Sequence, residues 1–341
     1  MTQFLLGMTL SELTGVCASV GLKPFAARQI ADWLYHKRVK GIDQMTNISK
    51  EMREKLAAEY AVGHISPAEV MTSRDGTRKY AFEAVAPGQY IETVMIPDRD
   101  RATLCVSSQA GCKMGCKFCM TGRQGFHGNL SVREIIVQFM DVDEADQLTN
   151  AVFMGMGEPL DNWDNVRKAI EILTADWGFG WSPKRITLST IGDLATLKDF
   201  LDNTSCHLAV SLHNPFHEER KELMPVENRY PLEDVLRLIR QYDFTGQRRV
   251  TFEYIIFAGL NDTKRHADAL ARLLRGLECR VNLIRFHKIP DSPYSSGSDA
   301  LVEQFQARLE ACGVTTTIRA SRGEDIMAAC GLLAGKNSNK Q

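Results

Sequence analysis

Beyond Ser131 the chain alternates strand-like and helix-like segments, and this alternation constrains its fold more than any other feature. Ser131-Val-Arg-Glu134 matches a capping box, with Ile135, Ile136, Phe139 and Met140 following on one helical face. Strand patterns at Asn150–Met154, Arg185–Leu188, His207–Leu212, Arg249–Ile256, Arg280–Ile284 and Val314–Ile318 are separated by apolar-periodic helices. Those helices cover Trp163–Leu173, the neighbourhood of Ala195–Leu201, Leu232–Tyr242, a segment opened by Asp262, and Leu301–Cys312. About five or six such units demand a parallel sheet with crossover helices, most simply an incomplete (β/α) barrel in an α/β chain. A doubly wound open sheet is the alternative.

Ahead of these units lies Gly111-Cys-Lys-Met-Gly-Cys-Lys-Phe-Cys-Met-Thr-Gly122, which spaces Cys112, Cys116 and Cys119 as C-x3-C-x2-C. Three thiolates are one fewer than a [4Fe-4S] cluster normally takes, so one iron would stay open to an exogenous ligand. A zinc knuckle completed by His127 is the competing reading, but zinc ligands usually come in C-x2-C pairs and no second pair follows. The spacing resembles the signature of radical S-adenosylmethionine (SAM) enzymes, in which SAM chelates the open iron.

At 341 residues, 44% apolar and 24% charged, the chain has the composition of an ordinary globular protein with a sizeable core. No apolar run reaches the roughly 20 residues needed to span a bilayer, and the N-terminus lacks a basic secretory n-region. The expectation is a cytoplasmic protein with no membrane partner. Nine cysteines in that compartment do not form a disulfide framework. Cys17, Cys206, Cys279 and Cys312 read as buried small apolar residues. A net charge of −1 gives no global attraction for nucleic acid.

Residues 1–75 read as a helical accessory region, with helices at Lys23–Tyr35 and, after Ser49, at Glu51–Tyr60. Trp33, Tyr35, His36, Lys37, Arg38 and Lys40 form a basic, aromatic run that suits RNA as well as it suits a solvated helix end. Strands at Lys79–Glu83, Tyr90–Ile96 and Thr103–Ser108, with a turn at Asp98–Arg101, lead into a catalytic unit over residues 76–335. A polar tail occupies residues 336–341.

In a barrel the reactive groups lie at the C-terminal ends of strands. Here those ends carry Gly157 and Glu158, then Ser189, then Ser211, Leu212 and His213, with Asn282 on a later strand. Any one of them could be a helix cap, but the series suits a polar ligand with hydroxyls, an amine and a carboxylate. Glu92 stands in an apolar strand, for which an exposed strand face is the plain account. Cys105 precedes Cys112 by seven positions in a predicted strand, and Cys330 alone reads as a buried core thiol.

Together the cysteine loop, Gly155-Met-Gly-Glu-Pro-Leu160, Thr187-Leu-Ser-Thr190, Ser211-Leu-His213, Asn282-Leu-Ile284, Arg322-Gly-Glu-Asp-Ile326 and Ala328-Ala-Cys-Gly-Leu332 resemble the RlmN/Cfr family of radical SAM RNA methyltransferases. The resemblance spans nearly the whole chain. It implies one [4Fe-4S] cluster on Cys112, Cys116 and Cys119, with SAM held by Gly157, Glu158, Ser189, Ser211, Leu212, His213 and Asn282. It implies two SAM per turnover. The first methylates Cys330; the second yields a 5′-deoxyadenosyl radical that abstracts hydrogen from that methyl group. The resulting methylene radical adds to an adenine ring carbon, Glu92 accepts the ring proton, and Cys105 resolves the adduct by a transient disulfide with Cys330. The implied substrates are an adenine of 23S rRNA near the peptidyl-transferase centre and the adenine 3′ of the anticodon in some tRNAs. Electrons would come from a donor such as flavodoxin, and the protein would be a monomer. Glu158-Pro159-Leu160 looks more like the branch that methylates C2 than the Cfr branch, which methylates C8 and confers antibiotic resistance. Arg248, Arg249, Arg319 and Arg322 are further candidates for RNA contact. A radical SAM enzyme acting on another substrate is the remaining alternative.

Overall fold

The computed structural model of the protein describes residues 2–246 and 248–335. The polar tail assigned to residues 336–341 lies outside the described residues. A 10-stranded sheet dominates the fold. Arg101–Cys105, Asn150–Phe153, Ile186–Thr190, His207–Ser211, Val250–Ile256, Arg280–Arg285 and Thr315–Ile318 follow one another across it, every neighbouring pair parallel. At the other end Tyr90–Asp98, Arg78–Glu83 and Glu69–Thr72 extend the sheet antiparallel. The strand order is linear, so the parallel run is a barrel left open, as the alternation predicts.

Along most of the parallel strands buried residues alternate with half-buried or exposed ones, so one face of each strand builds the core. In Val250–Ile256, Val250, Phe252, Tyr254 and Ile256 are all buried. Fully burying a side chain such as Phe252 contributes roughly 1.5–3 kcal/mol. The capping box forms as expected: the Ser131 hydroxyl accepts from the Glu134 N–H, and the Glu134 carboxylate accepts from the Ser131 N–H at 2.7 Å. It opens helix Val132–Met140, which buries Ile135, Ile136, Phe139 and Met140. The helix also buries Gln138, whose amide bridges the Ser107 N–H at 2.8 Å and the Ser107 carbonyl at 2.9 Å.

The first 75 residues depart from an all-helical reading. Helices Leu10–Ser19, Ala26–Ala31 and Lys50–Glu59 form, the last capped by Ser49. Gln3–Phe4 then pairs in parallel with Tyr60–Ala61, and Glu69–Thr72 already belongs to the main sheet. Leu5, Leu6, Leu34 and Tyr35 join the same apolar core as the sheet, whereas Phe25 is 64% exposed. Of the four cysteines read as core, Cys17 and Cys206 are buried. Cys279 is half-buried and Cys312, which caps helix Asp299–Ala311, is exposed.

Candidate active site

The cysteine loop is closed by a short ribbon in which Gln109–Gly111 pairs antiparallel with Phe126–Asn129. Gly111 has φ +74°, and a Cβ there would lie 1.9 Å from the Gly125 carbonyl oxygen, so only glycine closes the ribbon this tightly. The Cys112 N–H then reaches that carbonyl at 2.9 Å, and the Cys119 N–H reaches the Cys116 carbonyl at 3.2 Å. Cys119 opens the short helix Met120–Arg123. The loop is pinned from outside by Lys117 N–H to the Leu223 carbonyl at 3.0 Å and Met120 N–H to the Gly331 carbonyl at 2.8 Å.

All three cysteines face a cavity of about 160 Å³ whose walls include Gly157, Glu158, Ser189, Ser211, His213 and Cys330. Thiols packed together out of water resist ionisation: burial pushes Cys112 up to about 12, and burial with the neighbouring sulfurs pushes Cys116 well above its ordinary value. Binding to metal is the natural way for such thiols to lose their protons. Among the described residues no three His, Cys, Asp or Glu side chains are placed to hold a single metal ion, and His127 is exposed. A four-iron cluster holds its thiolates further apart than one ion does, so this loop suits a cluster better than zinc.

Gly157 has φ +96°, and a Cβ on it would come within 2.5 Å of Gln109 Cβ. This tight turn delivers Glu158, which is buried. One Glu158 oxygen accepts from Thr190 Oγ1 at 2.6 Å and the Leu160 N–H at 3.1 Å, the other from the Ile191 N–H at 3.0 Å. Burial outweighs these donors and raises the carboxyl to about 7. An ammonium group entering the cavity would restore the charge. His213 holds the left-handed φ of +57°, and its Nδ1 accepts from the Ile255 N–H at 3.1 Å. That fixes the neutral tautomer with Nε2–H as donor, and burial brings its pKa down to about 3.

Two residues of the expected ligand set stand off this wall. The Leu212 side chain is fully buried in the core, and the backbone N–H of Leu212 bonds the Glu253 carbonyl at 3.0 Å. Asn282 sits behind the wall, where its Nδ2 donates to Glu253 Oε1 at 2.8 Å. Glu253 itself is buried and lines the cavity. Sequence reasoning passed over it, although a carboxylate inside Val-Thr-Phe-Glu-Tyr-Ile-Ile was a visible signal.

A second cavity, of about 540 Å³, adjoins the first along Cys119, Thr121, Met154, Gly155, Ile284 and Cys330. Its lining includes Cys105 together with Arg101, Arg185, Arg319 and Arg322. Cys330 is therefore not a core thiol. It is exposed on the wall shared by both cavities, and both Cys330 and Cys105 are free. Although its sulfur meets the cavity, protein encloses Cys330 at longer range. That low-dielectric surround raises its pKa, and the Arg319 guanidinium opposes the rise. Burial pushes Cys105 up to about 12, again against Arg319.

Glu92 is buried, contrary to an exposed strand face. It pairs with Lys79 at 2.9 Å and accepts from the Ala334 N–H at 2.9 Å, outside the lining of both cavities. In the basic N-terminal run the cations are spent within the chain: Lys37 on Asp32, Arg38 on Asp146 and Lys40 on Asp141. Tyr35 is buried, with its hydroxyl on the Met8 carbonyl. Arg248 and Arg249 precede strand Val250–Ile256, at the end of the sheet opposite the site.

The comparisons agree with this geometry. Residues 4–62 match the model of the ribosomal RNA large subunit methyltransferase N-terminal domain, and residues 106–272 match that of the radical SAM superfamily. The chain is 58% identical over 330 residues to a probable dual-specificity RNA methyltransferase RlmN of Porphyromonas gingivalis, covering 97% of this chain and 96% of that one. It is 43% identical to the dual-specificity RNA methyltransferase RlmN of Syntrophus aciditrophicus, over 96% of this chain and 95% of the relative. A crystal structure of a radical SAM methyltransferase from Sphaerobacter thermophilus superimposes with a TM-score of 0.91 at 38% identity, covering 97% and 99% of the two chains. With three cysteines, a polar ligand wall and relatives matched end to end, the chain belongs to the RlmN family of radical SAM RNA methyltransferases.

Proposed function

We propose that the protein methylates C2 of an adenine in 23S rRNA near the peptidyl-transferase centre, and of the adenine 3′ of the anticodon in some tRNAs. The observation that carries this reading is the position of Cys330, on the wall shared by the cluster cavity and the arginine-lined cavity. A thiol there can take a methyl group from SAM on one side and present it to a base on the other. The cluster and SAM, when bound, supply the one-electron chemistry that makes an unactivated methyl group reactive, with two SAM used per turnover.

The chain's own residues divide the remaining work. Cys112, Cys116 and Cys119 would hold the cluster; Gly157, Glu158, Ser189, Ser211 and His213 would line the SAM site, steadied from behind by Asn282 and the backbone of Leu212. Glu158 meets the ammonium group of SAM, and the neutral His213 offers one N–H donor. Arg185 and Arg322, with Arg101 paired to Asp98 and Arg319 to Glu253, leave the second cavity net positive and attractive to a polyanion. A ring carbon is unreachable inside a duplex, so the adenine enters this cavity unstacked. Cys105 shares that cavity with Cys330 and resolves the adduct as a transient disulfide. Glu92 takes the ring proton, with its charge compensated by Lys79. To do so it must be released by the Ala334 and Gly335 N–H groups that now cap it. A soluble low-potential donor of the flavodoxin type would deliver the electrons to a monomeric enzyme.

The test is nucleoside mass spectrometry of unmodified rRNA and tRNA after incubation with the anaerobically reconstituted enzyme, SAM and reductant. The expected product is 2-methyladenosine, lost in Cys330→Ala. An 8-methyladenosine product would refute the C2 assignment, and methylation surviving in Cys330→Ala would refute the cysteine route.

A further inference from the structure

One fully buried cation lies behind the cluster loop and takes no part in the chemistry described above. Arg220 is 0% exposed, on helix His217–Leu223. Its Nε donates to the Leu212 carbonyl at 2.9 Å, its Nη2 donates to the Ser211 carbonyl at 2.7 Å, and its Nη1 pairs with Glu227. Two of these bonds hold the C-terminal end of the strand that presents Ser211 and His213 to the SAM cavity. The same helix ends at Leu223, whose carbonyl receives the N–H of Lys117, the residue after Cys116. One helix thus clamps the strand end and the cysteine loop together.

The charge also lies close behind the cluster cavity: the guanidinium bonds the carbonyl of Ser211, and Ser211 lines the same cavity as Cys112, Cys116 and Cys119. Burial brings the guanidinium down only to about 10, so it stays charged at neutral pH. Glu227, also buried, completes an ion pair and accepts in addition from the Leu232 N–H and His217. Three thiolates around an iron–sulfur core leave a net negative charge, which grows by one on reduction. A fixed positive charge in a low-dielectric surround favours the reduced form.

We propose that Arg220 is a positioning residue that sets the reduction potential of the bound cluster, presenting buried positive charge behind the cluster cavity while fixing the Ser211–Leu212 end of the SAM site. The proposal rests on the reading that Cys112, Cys116 and Cys119 hold a [4Fe-4S] cluster. The redox step is one electron, passed from a low-potential donor such as dithionite to the cluster, with no bond made or broken.

The experiment compares wild type, Arg220→Lys, Glu227→Gln and the double variant Arg220→Met/Glu227→Gln, each reconstituted anaerobically. Bound iron and sulfide are quantified, and the midpoint is read by electron paramagnetic resonance during titration with dithionite and mediators. The expected midpoints move in opposite directions. Glu227→Gln, which leaves the cation uncompensated, becomes easier to reduce. The double variant, which loses the cation without stranding a carboxylate, becomes harder to reduce. At fixed potential its reduced-to-oxidised ratio falls about tenfold, equivalent to about 59 mV for one electron. Arg220→Lys keeps the charge and stays near wild type. Unchanged midpoints in loaded protein, shifts of the same sign in both Glu227 variants, or a fall in Arg220→Lys as large as in the double variant would each overturn the proposal. Wild type that binds no [4Fe-4S] cluster would instead overturn the reading beneath it.

Discussion

Replacing Glu158 by Gln tests the electrostatics of the ligand wall without removing its shape. The carboxyl titrates at about 7 in the fold against an ordinary 4.5, chiefly because it is buried. Between those values the folded chain holds a proton that the unfolded chain has released. Stability therefore falls as pH rises through this window, and the group contributes none of that loss below it. At 1.36 kcal/mol per unit the full penalty is ~3 kcal/mol above neutral pH. Gln cannot ionise, so the variant lacks this slope. It gains a separate, pH-independent cost, because one face of its amide turns a donor toward Thr190, Leu160 or Ile191. A mismatch of that kind costs about 1–3 kcal/mol. The assay is urea unfolding of the cluster-free chain at several pH values from 4 to 8. Relative to wild type, Glu158→Gln gains ~3 kcal/mol across that range, whatever its offset. Parallel stability curves would refute the buried-carboxyl argument. In the cluster-loaded protein SAM binding near pH 7 releases a proton from Glu158, visible as a buffer-dependent binding enthalpy that Glu158→Gln lacks.

Two further substitutions probe the frame beneath the site. Gly157→Ala forces a side chain onto a left-handed φ and into Gln109, which costs about 1–3 kcal/mol and displaces Glu158. Thermal unfolding and SAM titration measure both effects, and wild-type values in both would contradict the geometry. Gln138→Leu strands the buried Thr93 hydroxyl and both backbone groups of Ser107, at a cost of about 3 kcal/mol or more. A denaturant midpoint within experimental error of wild type would show that water fills the gap.

The parallel sheet was legible because period and punctuation agree along it. Ser131 and Glu134 mark a helix start that forms as written, and apolar runs such as Val250–Ile256 lie where the strands do. Elements whose stability comes from distant partners were not legible. Gln3–Phe4 is a two-residue strand that exists only because Tyr60–Ala61 lies beside it. Glu69–Thr72 alternates half-buried and exposed residues at a sheet edge, a weak signal next to a helical region. At the site, the cysteine loop and the polar strand ends could be read from spacing. Arg220 and Glu227 could not, because a charge in a helix normally faces water, and only the tertiary structure shows that these do not.

Cys330 shows most clearly why local sequence stops short. Its neighbours Ala328 and Ala329 are small, apolar and buried, so the segment looks like core. Its placement is decided by contacts with residues more than 200 positions earlier in the chain. Met120 N–H bonds the Gly331 carbonyl, Thr121 Oγ1 donates to the Leu333 carbonyl at 2.7 Å, and Glu92 receives the Ala334 N–H. Two of these anchors belong to the short helix that follows Cys119, and the third is the proposed base. Hydrogen bonds of this kind contribute about 1 kcal/mol net apiece. With Leu332 and Leu333 buried beside them, these bonds define one position for the segment. On the proposed route Cys330 meets a methyl donor in one cavity and a base in the other, and anchoring its segment through backbone groups leaves the side chain free to face both.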